Sequence, residues 1–273
     1  MPVEHDTFDL SAYLARIGQP LVSGADAATL SRVHRAHLAA IPFENLDIQM
    51  GRPIELDAVS LQEALVRRRR GGYCFPQNAL FRLALSALGF TPHAREARVR
   101  FTATLPVPPR THMVLVVPID GVDWLVDVGF GANGIVEPLR LYSTETTQDG
   151  WTYRVSREGR LHVLQRRDGD QWLDLYAFTD DDAATIDYIV GNWYTSTHPD
   201  SKFVRTLTAQ RMIGNTRHQL RDLSYSVARQ GGEWQTRTVT REELIPLLRE
   251  VFDLDVPEDA RFRALDLESG PES

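Results

Sequence analysis

The side chains with chemical potential in this 273-residue chain gather around one sulfur. Cys74 is the only cysteine, and it stands between the pair Gly71-Gly72 and a segment that reads as a helix start. Unpaired backbone N–H groups and the helix dipole favour a thiolate at such a place, and Arg70 adds positive charge nearby. A lone cysteine is more often a small buried hydrophobe, so a nucleophile needs company. Its base is usually histidine, and the histidine needs a carboxylate to fix its tautomer and hold the imidazolium.

Strand register supplies that pair. The segments His112 to Val117 and Trp124 to Val128 flank Asp120-Gly121, a two-residue hairpin signal. A turn centred on this dipeptide sets His112 opposite Gly129 and diagonal to Asp127, and a slip of two residues sets it opposite Asp127. Either register puts imidazole and carboxylate on one face within reach, whereas a slip of one separates them. The hairpin alone therefore predicts a His112–Asp127 dyad.

The other histidines offer less. His37 lies on an apolar helical stripe and reads as a satisfied or boundary residue, while His5, His93, His162 and His218 lie in polar sequence. His34 and His37 are three apart, but no carboxylate at suitable spacing completes a site, so no metal is expected. Gly129-Phe130-Gly131 is too short for a dinucleotide fingerprint, and no P-loop pattern occurs.

Elements that could position these residues follow from periodicity. Leu10, Tyr13, Leu14 and Ile17 form one helical stripe, and Leu30, Val33, His37, Leu38 and Ile41 another that Pro42 ends. A third helix is predicted from Ser60, with Ser60 and Glu63 at capping-box spacing, to Gly71-Gly72. A fourth opens at Cys74 to Pro76, proline suiting a first turn, and runs through Leu80, Leu83 and Leu88 to Gly89. After Phe90 short alternating runs broken by turn residues predict hairpins. A last hairpin covers SYSVARQGGEWQTRTV, and a final helix begins with the box Thr240 and Glu243 and carries Leu244, Leu247, Leu248, Val251 and Phe252. The tail after Leu267 reads as disordered.

Composition excludes several classes. With 42% hydrophobic and 25% charged residues the chain matches an ordinary globular protein. A net charge of −7, from 30 basic and 37 acidic residues, argues against general nucleic-acid binding. The cluster Arg67 to Arg70 reads as a solvated helix end. The longest apolar runs, such as Met113 to Pro118, fall far short of the roughly 20 residues of a membrane span. An acidic N-terminus, MPVEHDTFDL, predicts no secretory leader. With one cysteine no intramolecular disulfide can form, so a cytoplasmic setting is expected. No heptad repeat or obvious exposed apolar stripe decides the oligomeric state, which leaves a homo-oligomer open.

Five separated motifs carry a family resemblance. Arg70-Gly71-Gly72-Tyr73-Cys74-Phe75 with Asn78, Ile41-Pro42-Phe43-Glu44-Asn45-Leu46, Thr111-His112, Asp127-Val128-Gly129-Phe130-Gly131, and Asn192-Trp193-Tyr194-Thr195-Ser196-Thr197-His198-Pro199 with Ser201 and Phe203 resemble, in order, the arylamine N-acetyltransferases. One departure stands out: the family commonly has a glutamate after Cys-Phe, where this chain has Pro76 and Gln77.

The resemblance implies an α+β fold in three parts: a helical bundle over residues 1–90 carrying the cysteine, an antiparallel β-barrel over 91–198 carrying His and Asp, and a C-terminal α/β lid over 199–273. It implies a triad like that of cysteine proteases, with Cys74 as acetyl-accepting nucleophile, His112 as general base and acid, and Asp127 as orienting carboxylate. Phe43, Phe130 and Thr111 are implied at the acceptor pocket, and Gly129, Gly131 and Phe203 at CoA. Acetyl-CoA would be a co-substrate with no bound cofactor, and an arylamine, hydrazine or hydroxylamine the acceptor. An amide synthase acting on a carrier-bound or polyketide acyl chain would use the same residues. A hydrolase or transglutaminase-like acyl transferase, and a small-molecule-binding scaffold with a structural cysteine, are the remaining alternatives.

Overall fold

The structure is a computed structural model that describes residues 8–21, 24–142, 144–229 and 232–267. The readings of the first seven residues, His5 among them, and of the tail after Leu267 lie outside the described residues. The N-terminal part is helical: α1 (Leu10–Arg16), α2 (Ala27–Ala40), β1 (Phe43–Glu44), α3 (Leu46–Gln49), α4 (Ala58–Leu61) and α5 (Cys74–Ala87). Asp9 and Asp26 cap α1 and α2, accepting from the Ala12 and Thr29 N–H groups at 2.9 and 2.7 Å. As predicted, α2 stops ahead of Pro42.

The third predicted helix differs at both ends. Its cap is Asp57, whose carboxylate accepts from the Ser60 N–H at 3.0 Å, so Ser60 lies inside the first turn. Asp57 and Ser60 have the same three-residue offset as Ser60 and Glu63, and the earlier acceptor takes the helix start. After α4 the turn widens to a π-helix over Gln62–Arg67 and stops before the glycines, because Arg69 adopts φ +53°. Arg70 then turns inward. The solvated-end reading holds for Arg67 and Arg69, but Arg70 is buried and bonds Glu44 at 2.8 Å and Asp47 at 3.0 Å. Three carboxylate contacts offset the desolvation that burying a cation costs.

Eight antiparallel strands follow: β2 (His93–Val99), β3 (Arg110–Ile119), β4 (Val122–Val126), β5 (Leu139–Arg140), β6 (Thr146–Gln148), β7 (Trp151–Glu158), β8 (Leu161–Asp168) and β9 (Gln171–Phe178). Their order, β5-β4-β3-β2-β9-β8-β7-β6, makes a barrel-like sheet that is nearly closed. The β3–β4 hairpin has the register of a turn centred on Asp120-Gly121, with Leu115 opposite Val126. Both turn residues have positive φ, +50° and +76°, as a two-residue turn matching the strand twist requires. Met113, Leu115, Val117 and Ile119 pack on the helices, while Val114 and Val116 join the barrel core. That alternation points His112 to the barrel side of β3.

The chain closes through α6 (Thr185–Thr197), α7 (Lys202–Arg205), β10 (Thr208–Ile213), β11 (Thr216–Arg221), β12 (Ser224–Arg229), β13 (Gln235–Thr238), α8 (Arg241–Glu250) and α9 (Arg263–Leu267). Strand β1 joins β10 at the edge of this second sheet. Thr240 and Glu243 form the expected capping box of α8, which buries Leu244, Leu247 and Leu248. Helix α6 exposes Ile186, Ile189, Val190 and Trp193, an apolar stripe that sequence spacing alone does not separate from a core face. Among the described residues no helix is long and apolar enough to cross a membrane.

Candidate active site

Cys74 opens α5 where the chain passes close to β1. A Cβ on Gly71 would strike the Pro42 carbonyl, and one on Gly72 would come within 2.8 Å of the Pro76 ring. Both glycines are therefore steric requirements of this turn, and Pro76 packs into the space the second leaves. The thiol is buried and its S–H donates to the Thr111 carbonyl at 3.4 Å. Arg70, placed near the sulfur by sequence, spends its charge on Glu44 and Asp47 instead.

His112, one residue after that carbonyl, donates from Nε2 to Asp127 Oδ2 at 2.8 Å. Both side chains are buried. Burial alone would push the imidazole toward neutrality, but the Asp127 carboxylate and then the Cys74 sulfur outweigh it and raise the His112 pKa above the usual histidine range. Burial likewise works against the Asp127 anion, yet His112, Asn78 and the Gly129 N–H together hold its pKa below the usual carboxylate value. The arrangement favours an imidazolium–carboxylate pair beside a sulfur.

Supporting residues come from other elements. Asn78, one helical turn after Cys74, donates to Asp127 Oδ1 at 2.9 Å and to the Met113 carbonyl at 2.7 Å, and accepts from the Val128 N–H. It stitches the nucleophile's helix to β3 and to the segment just after β4, which carry the dyad. His34 lies under the Asp127 backbone: its Nδ1 is 3.1 Å from the Val136 carbonyl, and its Nε2 is 3.1 Å from the Asp127 carbonyl and 3.4 Å from the Asp127 N–H. Burial lowers its pKa to about 4. Tyr176 packs on the His112 ring at 4.9 Å between centroids, and Phe130 at 5.3 Å. Asn78 was legible as an i+4 neighbour of Cys74; His34 and Tyr176 reach the site only through tertiary packing.

His37, expected to be satisfied, accepts from Tyr13 Oη at Nδ1 (2.8 Å) and donates from Nε2 to Gln77 Oε1 (2.6 Å). Gln77 in turn donates to the Pro42 carbonyl at 2.9 Å. His162, expected in polar surroundings, has its ring buried and stacked on Phe178, with Nε2 donating to Asp180. No group of His, Cys, Asp or Glu suited to a metal ion occurs among the described residues.

A cleft of about 340 Å³ opens onto Cys74 and His112, and Phe43, Phe130, Thr111, Gly129 and Phe203 line it. Gly129 packs on the nucleophile's own backbone, since a Cβ there would lie 2.7 Å from Cys74 Cα. Gly131 does not line this cleft. It borders a neighbouring cavity of about 40 Å³, against the Gln210 side chain. Pro76 faces the opposite side, a second cavity of about 330 Å³ shared with Glu44 and Asp47.

The sequence pattern of a family described as N-acetyltransferase matches residues 26–261. An arylamine N-acetyltransferase of Mycolicibacterium smegmatis is 38% identical over 254 residues, covering 91% of this chain and 92% of that protein. The solved structure of Mycobacterium marinum arylamine N-acetyltransferase in complex with CoA superposes with a TM-score of 0.86 at 36% identity, covering 90% of this chain and 93% of that one. A proansamycin X synthase of Amycolatopsis mediterranei is 31% identical over 256 residues, 87% of this chain and 94% of that protein. Fold and matches together define an enzyme of the acyltransferase class. The chain belongs to the arylamine N-acetyltransferase family.

Proposed function

We propose that this enzyme transfers an acetyl group from acetyl-CoA to the nitrogen of an arylamine, arylhydrazine or arylhydroxylamine through a Cys74 thioester. The buried His112–Asp127 pair at the inner end of the cleft, with Cys74 beside it, carries the reading. In the first half-reaction the Cys74 sulfur attacks the thioester carbonyl, the C–S bond to CoA breaks, and CoA leaves as the thiol with the proton that His112 has taken. In the second the amine nitrogen attacks the acetyl-enzyme, its proton passes to His112, and Cys74 is released. Asp127 holds the imidazole with Nε2–H directed at itself, which leaves Nδ1 for these transfers.

Aryl amines are weak bases, so their nitrogen is unprotonated near neutral pH. A flat ring needs apolar walls, which Phe43 and Phe130 provide with the Thr111 backbone alongside. Gly129 and Phe203 take the donor side; Gly131 acts only through the loop it turns. The three parts are assigned to residues 1–90, 91–198 and 199–273. A single thiol that must stay reduced suits the cytoplasm, and the partners are small molecules.

Intact-protein mass spectrometry after mixing with acetyl-CoA tests the covalent step. One acetyl group on wild type, none on Cys74→Ala or His112→Ala, and its removal by an arylamine are expected. A well-folded wild type that takes no acetyl group would contradict the reading. The proansamycin X synthase match favours a second reading, an amide synthase working on a carrier-bound acyl chain; acylation by a carrier-bound donor but not by acetyl-CoA would select it.

A further inference from the structure

Helix α6 has two unlike faces. Inward, Tyr188, Gly191, Asn192 and Thr195 are buried. A Cβ on Gly191 would come within 2.8 Å of the Phe75 ring. The Tyr73 hydroxyl donates to Asn192 Oδ1, and Asn192 Nδ2 donates to the Ile54 carbonyl at 2.8 Å. These contacts fix the rotation of the helix about its own axis. Outward, Ile186, Ile189, Val190 and Trp193 are each 46 to 63% exposed, at the i, i+3, i+4, i+7 spacing of a single stripe. Among the described residues no other helix leaves more than one large apolar side chain exposed. Turning α6 to bury the stripe would break the bonds to Tyr73 and Ile54, so any cover comes from outside the fold.

The four side chains offer on the order of 400 Å², a patch of the size that on a monomer is often functional. A standard interface takes about 800 Å² from each partner, so the stripe suits the apolar centre of one and the polar flanks of α6 its rim. Charge at the two ends of the helix selects the occupant. Asp187, exposed in the first turn, accepts from the Ala184 N–H and has no cationic partner among the described residues. Lys202, exposed beyond the last turn, donates only to Thr102 and has no carboxylate partner there. A second copy running antiparallel brings Asp187 to the end of the pair where the partner's Lys202 lies, and opposes the two helix dipoles. A parallel copy would gather like charges at each end. The stripe also has the same spacing read in either direction, as a two-fold contact of one surface with itself requires.

We propose that the outer face of α6 pairs with the same face of a second copy of this chain, antiparallel across a two-fold axis that passes between Ile189 and Val190. In that register Ile186 meets the partner's Trp193, and Ile189 meets the partner's Val190. The pairing does not depend on the acyl-transfer reading of Cys74.

Sedimentation velocity over a series of protein concentrations is expected to show the wild-type mass rising from one chain toward two. Ile189→Asp and Trp193→Asp each set a charge in the apolar centre and are expected to weaken the association at least about tenfold, with the far-UV CD spectrum of the wild type retained. Ile213→Asp, at an exposed apolar position on β10, is expected to leave it unchanged. Orientation is read from Cys74→Ser chains that also carry Ile186→Cys or Trp193→Cys, oxidised singly and mixed and then weighed intact. The antiparallel pair joins the two variants to each other by a disulfide and neither to itself. A wild type that stays one chain at every concentration, an association indifferent to both aspartates, or cysteine variants that join only themselves overturns the proposal. A monomer that floats with phosphatidylcholine vesicles overturns it too, and assigns the stripe to a lipid surface.

Discussion

The Asp127 carboxylate divides its work: Oδ2 accepts from His112, and Oδ1 accepts from Asn78 and the Gly129 N–H. Each oxygen is satisfied, so the anion persists at full burial. Asp127→Asn keeps the volume and removes the charge that holds the His112 pKa up. The His112 titration, followed by NMR of its ring protons, is therefore expected to move to lower pH, and the acetylation rate to fall roughly 10²- to 10⁴-fold. An unmoved titration would show that Asp127 does not set the protonation of His112. The dyad was readable from sequence because a hairpin turn fixes strand parity. Asn78 as its partner was not, because it meets Asp127 only after α5 packs on β3, whereas the Gly129 N–H lies two residues on and bonds the carboxylate locally.

Elements were legible where local chemistry had no rival. The α8 capping box and the Asp120-Gly121 turn stand as spacing predicted them. Helix α4 shows the opposite case, two overlapping capping patterns of which Asp57 won. Asp57→Ala is expected to lower stability by about 1 kcal/mol in urea unfolding, and Ser60→Ala by much less; the reverse order would restore Ser60 as the cap. Arg70 was misread because a run of four arginines looks uniform in sequence. The carboxylates that bury the fourth lie on β1 and α3, out of reach of any local pattern. The exposed stripe on α6 escaped for the same reason, since helical spacing of apolar residues does not say whether anything covers them.

Across the whole molecule, ionisable groups buried in opposite senses shape stability against pH. His34 and His37 are buried neutral, with pKa values lowered by burial to about 4 and about 3. In the unfolded chain they titrate near 6.5, so below that pH the unfolded state binds more protons and stability falls as pH drops. Each can contribute a loss of up to about 1.4 kcal/mol per pH unit. The His112–Asp127 pair behaves otherwise. The raised His112 contributes fully below 6.5 and is lost as pH rises through its folded value, while the lowered Asp127 contributes fully above 3.8 and is lost on going more acid. Between those limits the pair is constant, so lower stability at pH 5.0 than at pH 6.5 in urea unfolding is expected from the two neutral histidines, with His37→Asn flattening the difference. Equal stability at both values would contradict this assignment. The same molecule carries its only sulfhydryl at the floor of the cleft. Any maleimide or iodoacetamide consumed by the native protein is therefore consumed there, so one reagent count per chain gives the concentration of competent sites in a preparation, and a donor or acceptor that shields the cleft reports its own occupancy by slowing that count.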